Sequence, residues 1–293
     1  METWQARMER DLIVAELRPG TRARYLYAVE GFAAYFDRSP EVLGRKEVCE
    51  FLAHLVADRR LKAVTIAGYR AAIDFLYRFT LERPEVVDNL PRSRRSKQPP
   101  GRALTHTELV RVFEHAPGAF AETVFVTAYA AGLRISEVCR LRVVDIRSAD
   151  GLIEVCDAKG GLDRVVMLGT SLLEELRAHW RRFGPPGPWI FPARRSPAPA
   201  DGPSWSSEPV STQTVGEWFR AAVHAGDIRG RVTFHALRRS FATHMLDQKQ
   251  DIRIIQVALG HANISTTERY ALVGPDLMAR TTSPFERLLI HRR

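Results

Sequence analysis

Four stretches of this 293-residue chain hold residue types suited to phosphate chemistry. The first, LGHANISTTERYALV at 259–273, sets His261 nine residues ahead of Tyr270. An imidazole and a phenol at that spacing can stand on opposite sides of one reacting phosphate. The same residues also read as a plain helix boundary, with Gly260 ending one helix and Ser265 capping the next. The second, FHALRRSFATHMLDQ at 234–248, has helical periodicity, and Leu237, Phe241 and Met245 form its buried stripe. His235 and Arg238 stand three apart, so both reach a common point at the helix's N-terminal end, while Arg239 points nearly opposite. A guanidinium steadied by an apolar stripe can grip two phosphate oxygens. Read alone, the pair is also an ordinary surface pair.

In the third, AAGLRISEVCRLRVVDI, Arg134 follows Gly132 at a junction between two helices, with Ser136 a candidate cap. An arginine there can enter a cleft, although arginines at helix ends are common. The fourth, LIEVCDAKGGLDRVVML, has two β-branched runs flanking Lys-Gly-Gly, the pattern of a hairpin with Lys159 at its tip. A lysine at a turn is commonly a solvent-facing solubility device; a mobile tip can also carry an ammonium over a DNA backbone.

Composition narrows the field. The formal charge of +9 and a pI near 9.9 belong to a protein that attracts polyanions, nucleic acid being the commonest. Only five of the 43 basic residues are lysines (Lys46, Lys62, Lys97, Lys159 and Lys249), which makes the position of each informative. Three widely spaced cysteines form no CxxC pair, disulfide framework or zinc spacing. There is no GxxxxGK[ST] loop, no HExxH and no acidic cluster of a two-metal nuclease, so neither metal nor nucleotide cofactor is expected. The charged N-terminus lacks a signal-peptide core and no 18-residue apolar run occurs, which points to a cytoplasmic protein without membrane contact.

The elements that must position these residues read as mainly helical. Residues 1–90 carry three helical patterns: TRARYLYAVEGFAAYF with Thr21 as N-cap, KEVCEFLAHLVADRR, and a third starting at Thr65 whose stripe is Ile66, Ile73, Leu76 and Tyr77. Residues 91–103 form a Pro-, Ser- and Arg-rich linker, and residues 104–293 a second domain opening with a capping box at Thr105–Glu108. An apolar helix, AETVFVTAYAAG, ends at Gly132. Residues 184–209 hold eight of the 17 prolines and read as an exposed, irregular connection. Of the 23 residues after Tyr270, PFERLLI is an apolar patch for docking on a neighbouring subunit or on its own domain.

Taken in order, AGLRISEVCRL, the Lys-tipped hairpin, HALRRSFATHML and LGHANISTTERY resemble the active-site motifs of the tyrosine recombinase (phage integrase, Xer-like) family. The likeness spans most of residues 102–275, and the basic helical region before it is similar to that family's core-binding domain. The resemblance implies a mainly α fold with a small β-hairpin sheet, arranged as a two-domain, C-shaped DNA clamp. It implies that Tyr270 attacks the scissile phosphate to give a 3′-phosphotyrosine, that Arg134 and Arg238 clamp its non-bridging oxygens and that Lys159 protonates the departing 5′-oxygen. His235 would assist deprotonation of Tyr270, and His261 would hydrogen-bond the phosphate.

The implied partners are a double-stranded DNA recombination site and three further copies in a synaptic tetramer formed from free monomers; an accessory DNA-bending protein is compatible with the resemblance but is left open by it. Lys62, Thr65, Arg70, Arg94, Arg95 and Lys97 are the expected phosphate contacts outside the active site. Two departures, Ala236 and Arg239, fall at positions that are not catalytic in the family, and the Pro-rich segment is longer than a minimal member requires. Two other readings stand beside this one: a type IB topoisomerase-like relaxing enzyme, and a non-catalytic DNA-binding regulator on the same fold.

Overall fold

The structure, a computed structural model, describes residues 2–91, 101–156, 163–185, 187–194, 205–260 and 273–288. The chain divides into two compact units, Met1–Pro99 and Pro100–Arg293.

The first unit is helical: α1 (Trp4–Val14), α2 (Pro19–Phe36), α3 (Arg45–Ala57) and α4 (Ala63–Phe75), which runs on into a π-turn at Leu76–Thr80. Helix α2 begins two residues before Thr21, because Pro19 at the first helical position has its φ preset and needs no N–H there. Helix α4 likewise starts ahead of Thr65, with extended Lys62 as its N-cap. The stripe read from the sequence is buried, Ile66 at 7% and Ile73, Leu76 and Tyr77 fully. Tyr77 fills the centre, and its buried hydroxyl hydrogen-bonds the carbonyls of Pro40 (3.0 Å) and Leu43 (3.2 Å).

The second unit opens with α5 (His106–Glu114), closed by the predicted capping box. Thr105 Oγ1 accepts from the Glu108 N–H at 3.2 Å, and Glu108 Oε2 accepts from the Thr105 N–H at 2.9 Å. Helix α6 (Ala119–Ala130) follows, with every side chain except Ala119 and Glu122 buried. A helix that is apolar on nearly all sides belongs in the middle of a core. Around it stand α7 (Ile135–Cys139), α8 (Thr170–Phe183), α9 (Thr212–Ala225) and α10 (His235–Asp247).

A three-stranded antiparallel sheet, β1 (Ile146–Arg147), β2 (Leu152–Val155) and β3 (Arg164–Met167), pairs Leu152 with Met167 and Val155 with Arg164. These strands are the flanks of the predicted hairpin. Its tip, with Lys159, lies outside the described residues.

The Pro-rich segment departs from its expected form. Residues Pro192–Arg194 (β4) pair with Trp205–Pro209 (β5), while Phe191 and Trp205 enter the core beside Phe120. The apolar side chains among the prolines decide this: burying two large aromatic rings outweighs the irregularity that proline imposes on the backbone.

The chain continues through α11 (Ile252–Leu259), α12 (Pro275–Arg280) and α13 (Pro284–Leu288). Helix α13, the PFERL of the terminal patch, packs on its own unit against α6, α8 and α10, with Phe285 and Leu288 fully buried. Glu286 there accepts from the Ser171 N–H at 3.1 Å at the start of α8, and Ser283 Oγ donates to the Ala130 carbonyl at 2.6 Å.

Gly132 sits at the turn between α6 and α7 with φ +63°, and a Cβ there would lie 2.6 Å from the Phe241 ring of α10. Gly132→Ala combines a left-handed backbone with forced overpacking, about 2–4 kcal/mol together. Urea unfolding should show that loss; a change under about 0.5 kcal/mol, the range of an unconstrained surface substitution, would contradict this geometry.

Candidate active site

The α6–α7 turn delivers Arg134 to the interior face of the second unit. Arg134 is extended and serves as the N-cap of α7, a position expected for Ser136, which instead lies inside the helix. The reason is Glu137. Three residues on, its carboxylate reaches back and accepts from the Arg134 N–H at 2.7 Å and from Arg134 Nη1 at 2.5 Å. A glutamate at the third helical position closes the turn without a hydroxyl cap.

Glu137 is itself buried, its side chain 4% exposed, and it holds a second arginine. Arg164, the first residue of β3, donates Nη1 to Glu137 Oε1 at 3.0 Å and Nη2 to Oε2 at 2.8 Å. A third, Arg238 on α10, brings Nη1 to 3.7 Å from Oε2. Burial acts to raise the Glu137 pKa, but the Arg164 hydrogen bonds and charge, with those of Arg134, prevail and hold it at about 2. One ionised carboxylate thus anchors three guanidinium groups.

The rest of the balance comes from the C-terminal end of α11. Gly260 ends that helix in the left-handed conformation, φ +57°. The last carbonyls of a helix lack intrahelical donors and carry the negative end of its dipole. Here Arg164 Nε donates to Ala258 O at 2.7 Å, and Arg238 Nη2 donates to Leu259 O. Arg134 Nη2 stands 3.4 Å from both Leu259 O and Gly260 O, long for an N–H···O bond. Arg238 Nη1 also donates to Gly132 O at 2.9 Å. Burial, and then the charges of Arg134 and Arg164, pull the Arg238 pKa down to about 9. The cluster therefore carries more positive charge than it neutralises, which is the condition for receiving an anion.

His235 begins α10, one turn before Arg238 on the same side. Its imidazole sits below its ordinary 6.5, first through partial burial and then through the charges of Arg238, Arg239 and Arg134. Neutral at pH 7, the ring has one nitrogen free of a proton and able to accept one. Deeper in α10, His244 is buried and pairs its Nδ1 with the Tyr129 hydroxyl at 2.9 Å, while the His106 ring stacks on it at 4.0 Å. Burial, with His106 second, takes the His244 pKa to about 4, so this neutral ring serves as a bolt between α10 and α6.

Of the residues singled out from the sequence, Arg134, Arg238 and His235 therefore come together. Lys159, His261 and Tyr270, with Arg94, Arg95 and Lys97, lie outside the described residues. In the first unit Lys62 and Thr65 are exposed at the N-terminal end of α4. Arg70 is spent on the carbonyls of Leu90 and Pro91, which anchor the chain as it leaves that unit.

The sequence reading missed Glu137, Arg164 and His244. Glu137 carries a signal, the capping-box spacing behind Arg134. Arg164 and His244 carry none, since each acquires its role through a partner 27 or 115 residues away. Among the described residues no group of three or more His, Cys, Asp or Glu side chains is placed to hold a metal ion. No described helix is long and apolar enough to cross a membrane.

Two outcomes follow from these electrostatics. The Glu137 carboxylate ionises at about 2 when folded against an ordinary 4.5, so its stabilisation is complete above pH 4.5 and is lost as the pH falls towards 2. Glu137→Gln should cost roughly 3–5 kcal/mol at pH 7, the range for one partner removed from a buried pair, and should flatten the acid limb of stability. An unaltered acid limb would count against the pairing. For His235, NMR titration should give a pKa below 6.5. Arg239→Ala should raise it by removing a nearby positive charge; an unchanged or lower value would contradict this account.

Comparison with known proteins gives this cluster a context. The sequence pattern of the Phage integrase family matches residues 102–275, more than half of the chain, and that of the Phage integrase N-terminal SAM-like domain matches residues 4–85. A putative integrase/recombinase of Sinorhizobium fredii, y4qK, is 33% identical over 289 residues, covering 98% of this chain and 90% of its own. Tyrosine recombinase XerA of Pyrococcus horikoshii is 33% identical over 193 residues, covering 66% of this chain and 61% of its own. The fold is similar to that of a lambda integrase tetramer bound to a Holliday junction, with a TM-score of 0.67 and 22% identity, covering 92% of this chain and 75% of that one. The arginine cluster lies within the matched segment, and the chain belongs to the phage integrase family of tyrosine recombinases, site-specific enzymes that break and rejoin DNA strands.

Proposed function

We propose that Tyr270 is the nucleophile of this recombinase and that Arg134 and Arg238 are its phosphate clamp. The observation that carries this reading is the convergence of Arg134 and Arg238 on one carboxylate-anchored cluster, within the same family-matched segment as Tyr270. The phenol oxygen attacks the scissile phosphorus, forming a 3′-phosphotyrosyl bond as the bond to the 5′-oxygen breaks. A phenol of ordinary pKa about 10 is a weak nucleophile at pH 7, so its proton must pass to a base, and neutral His235 is the candidate. Lys159 supplies a proton to the 5′-oxygen, a role that contributes roughly 10²–10⁴-fold when an acid is well placed. Negative charge gathers on the non-bridging oxygens in the transition state, where Arg134 and Arg238 neutralise it, and His261 adds a hydrogen bond. Because the phosphotyrosine retains the energy of the broken bond, a 5′-hydroxyl of the partner strand reverses the step without ATP.

The substrate is double-stranded DNA carrying a recombination site. Four copies bring two duplexes together and exchange strands in pairs through a Holliday junction. The lambda integrase tetramer of similar fold, bound to such a junction, supports this assembly. The two domains are 1–90 and 104–293, joined by the basic linker 91–103. Lys62 and Thr65, with linker residues Arg94, Arg95 and Lys97, contact phosphates outside the active site, and Arg70 does so if it exchanges its carbonyl partners for phosphate. The enzyme acts on DNA in the cytoplasm.

The test is a denaturing gel of the protein mixed with labelled, nicked DNA from the flanks of its own gene, beside a randomised DNA pool. Wild type should give a slow covalent protein–DNA band. Tyr270→Phe, with no nucleophilic oxygen, should abolish that band while retaining DNA binding. A band that survives in Tyr270→Phe would overturn the assignment.

A further inference from the structure

Arg164 has no place among the groups that meet the phosphate in the proposed reaction. Its side chain is 1% exposed, and all three guanidinium nitrogens donate to protein acceptors: Nε to Ala258 O, and Nη1 and Nη2 to the two oxygens of Glu137. Its aliphatic stem fills the space beside Gly260, where a Cβ would meet Arg164 Cδ at 3.0 Å. It is therefore walled off from an incoming anion while joining three elements, β3, the start of α7 and the end of α11.

Those two acceptors are the ones that direct the phosphate-facing arginines. The carboxylate fixed by Arg164 holds Arg134 through both its backbone N–H and Nη1. The α11 end fixed by Arg164 presents the Leu259 carbonyl to Arg238 and the Leu259 and Gly260 carbonyls to Arg134. A bidentate pair with both oxygens engaged prevents Glu137 from rotating, as a monodentate contact would not.

We infer that Arg164 is a positioning residue of the recombinase, which locks Glu137 and the C-terminal end of α11 together and so sets the directions of Arg134 and Arg238. This rests on the proposal that Arg134 and Arg238 neutralise the scissile phosphate. Arg164 touches neither substrate nor reacting atoms, and its whole effect passes through the two arginines it orients. Misplacing a catalytic group by about 1 Å can cost on the order of 100-fold in rate, so the loss should fall on the chemical step rather than on DNA affinity.

The experiment uses the full-length protein and a nicked duplex carrying the cleavage site mapped by the covalent band. The scissile position holds either the natural phosphate or a neutral methylphosphonate. Single-turnover covalent-complex formation is measured for wild type, Arg164→Met, Arg164→Lys and Arg134→Ala, with thermal melts and DNA binding in parallel. On phosphate, Arg164→Met should cleave about 100-fold more slowly, with DNA affinity within a few-fold of wild type. Arg164→Lys keeps the charge but not the bidentate geometry and should fall between the two; it also serves if the Met variant does not fold.

On methylphosphonate there is less charge to neutralise, so the deficits of Arg164→Met and Arg164→Lys relative to wild type should shrink together with that of Arg134→Ala. A deficit of equal size on both substrates, or none on phosphate, would overturn the positioning role and leave Arg164 a packing residue. If Arg134→Ala itself shows no phosphate-specific deficit, the clamp assignment fails, and the two failures are told apart by that variant.

Discussion

A single buried carboxylate organises the arginine cluster of the second unit. Glu137 meets Arg134 and Arg164 directly and stands 3.7 Å from Arg238, at the meeting point of α7, β3 and α10. A carboxylate carried out of water without partners would be neutralised by protonation; here the cations favour its charged form strongly enough to reverse that tendency. The dependence is mutual, because three guanidinium groups crowded without Glu137 would repel one another. Neither the charge of the cluster nor its directions survive if either side of this balance is removed.

The apolar core supplies the rigidity that such a balance needs. Helix α6, buried along almost its whole length, supports the turn that launches Arg134 and receives α10 along its side. Phe241 presses against Gly132, so the turn and the helix bearing His235 and Arg238 are in direct contact. The Tyr129–His244 pair fastens the same two helices with a polar bond inside the core. Close-packed interiors transmit strain, which ties the placement of two arginines 104 residues apart in sequence to one packed interface.

Helix α11 joins this arrangement through its end. Three arginines donate to, or stand near, its last carbonyls, so the dipole of an eight-residue helix is turned towards the charges that need it. These carbonyls are weaker acceptors than a phosphate oxygen bearing a formal charge. The 3.4 Å distances at Arg134 are those of a fork not fully engaged. On the proposed clamp role, an arriving phosphate improves the bonding of groups already held in place, which is how preorganisation lowers the cost of charge development.

Local pattern carried much of this protein in its sequence. The capping box at Thr105, the stripes of α4 and α10, the largely apolar α6 and the flanks of the hairpin each depend on residues a few positions apart, and each is legible for that reason. Helix starts were less so: Pro19 displaced Thr21, and Glu137 displaced Ser136, because a preset φ or a carboxylate reaching back competes with a hydroxyl cap. The Pro-rich segment concealed its two strands, since the burial of Phe191 and Trp205 depends on Phe120 far away in the chain. By itself, then, the sequence determined residue types, helical periodicity and a motif order resembling a family. Only the tertiary structure decided that Arg164 belongs to Glu137, that α11 ends among arginines and that PFERL packs on its own unit. Charge pairing and burial are properties of distance in space, and they emerge only when the core brings separated segments together.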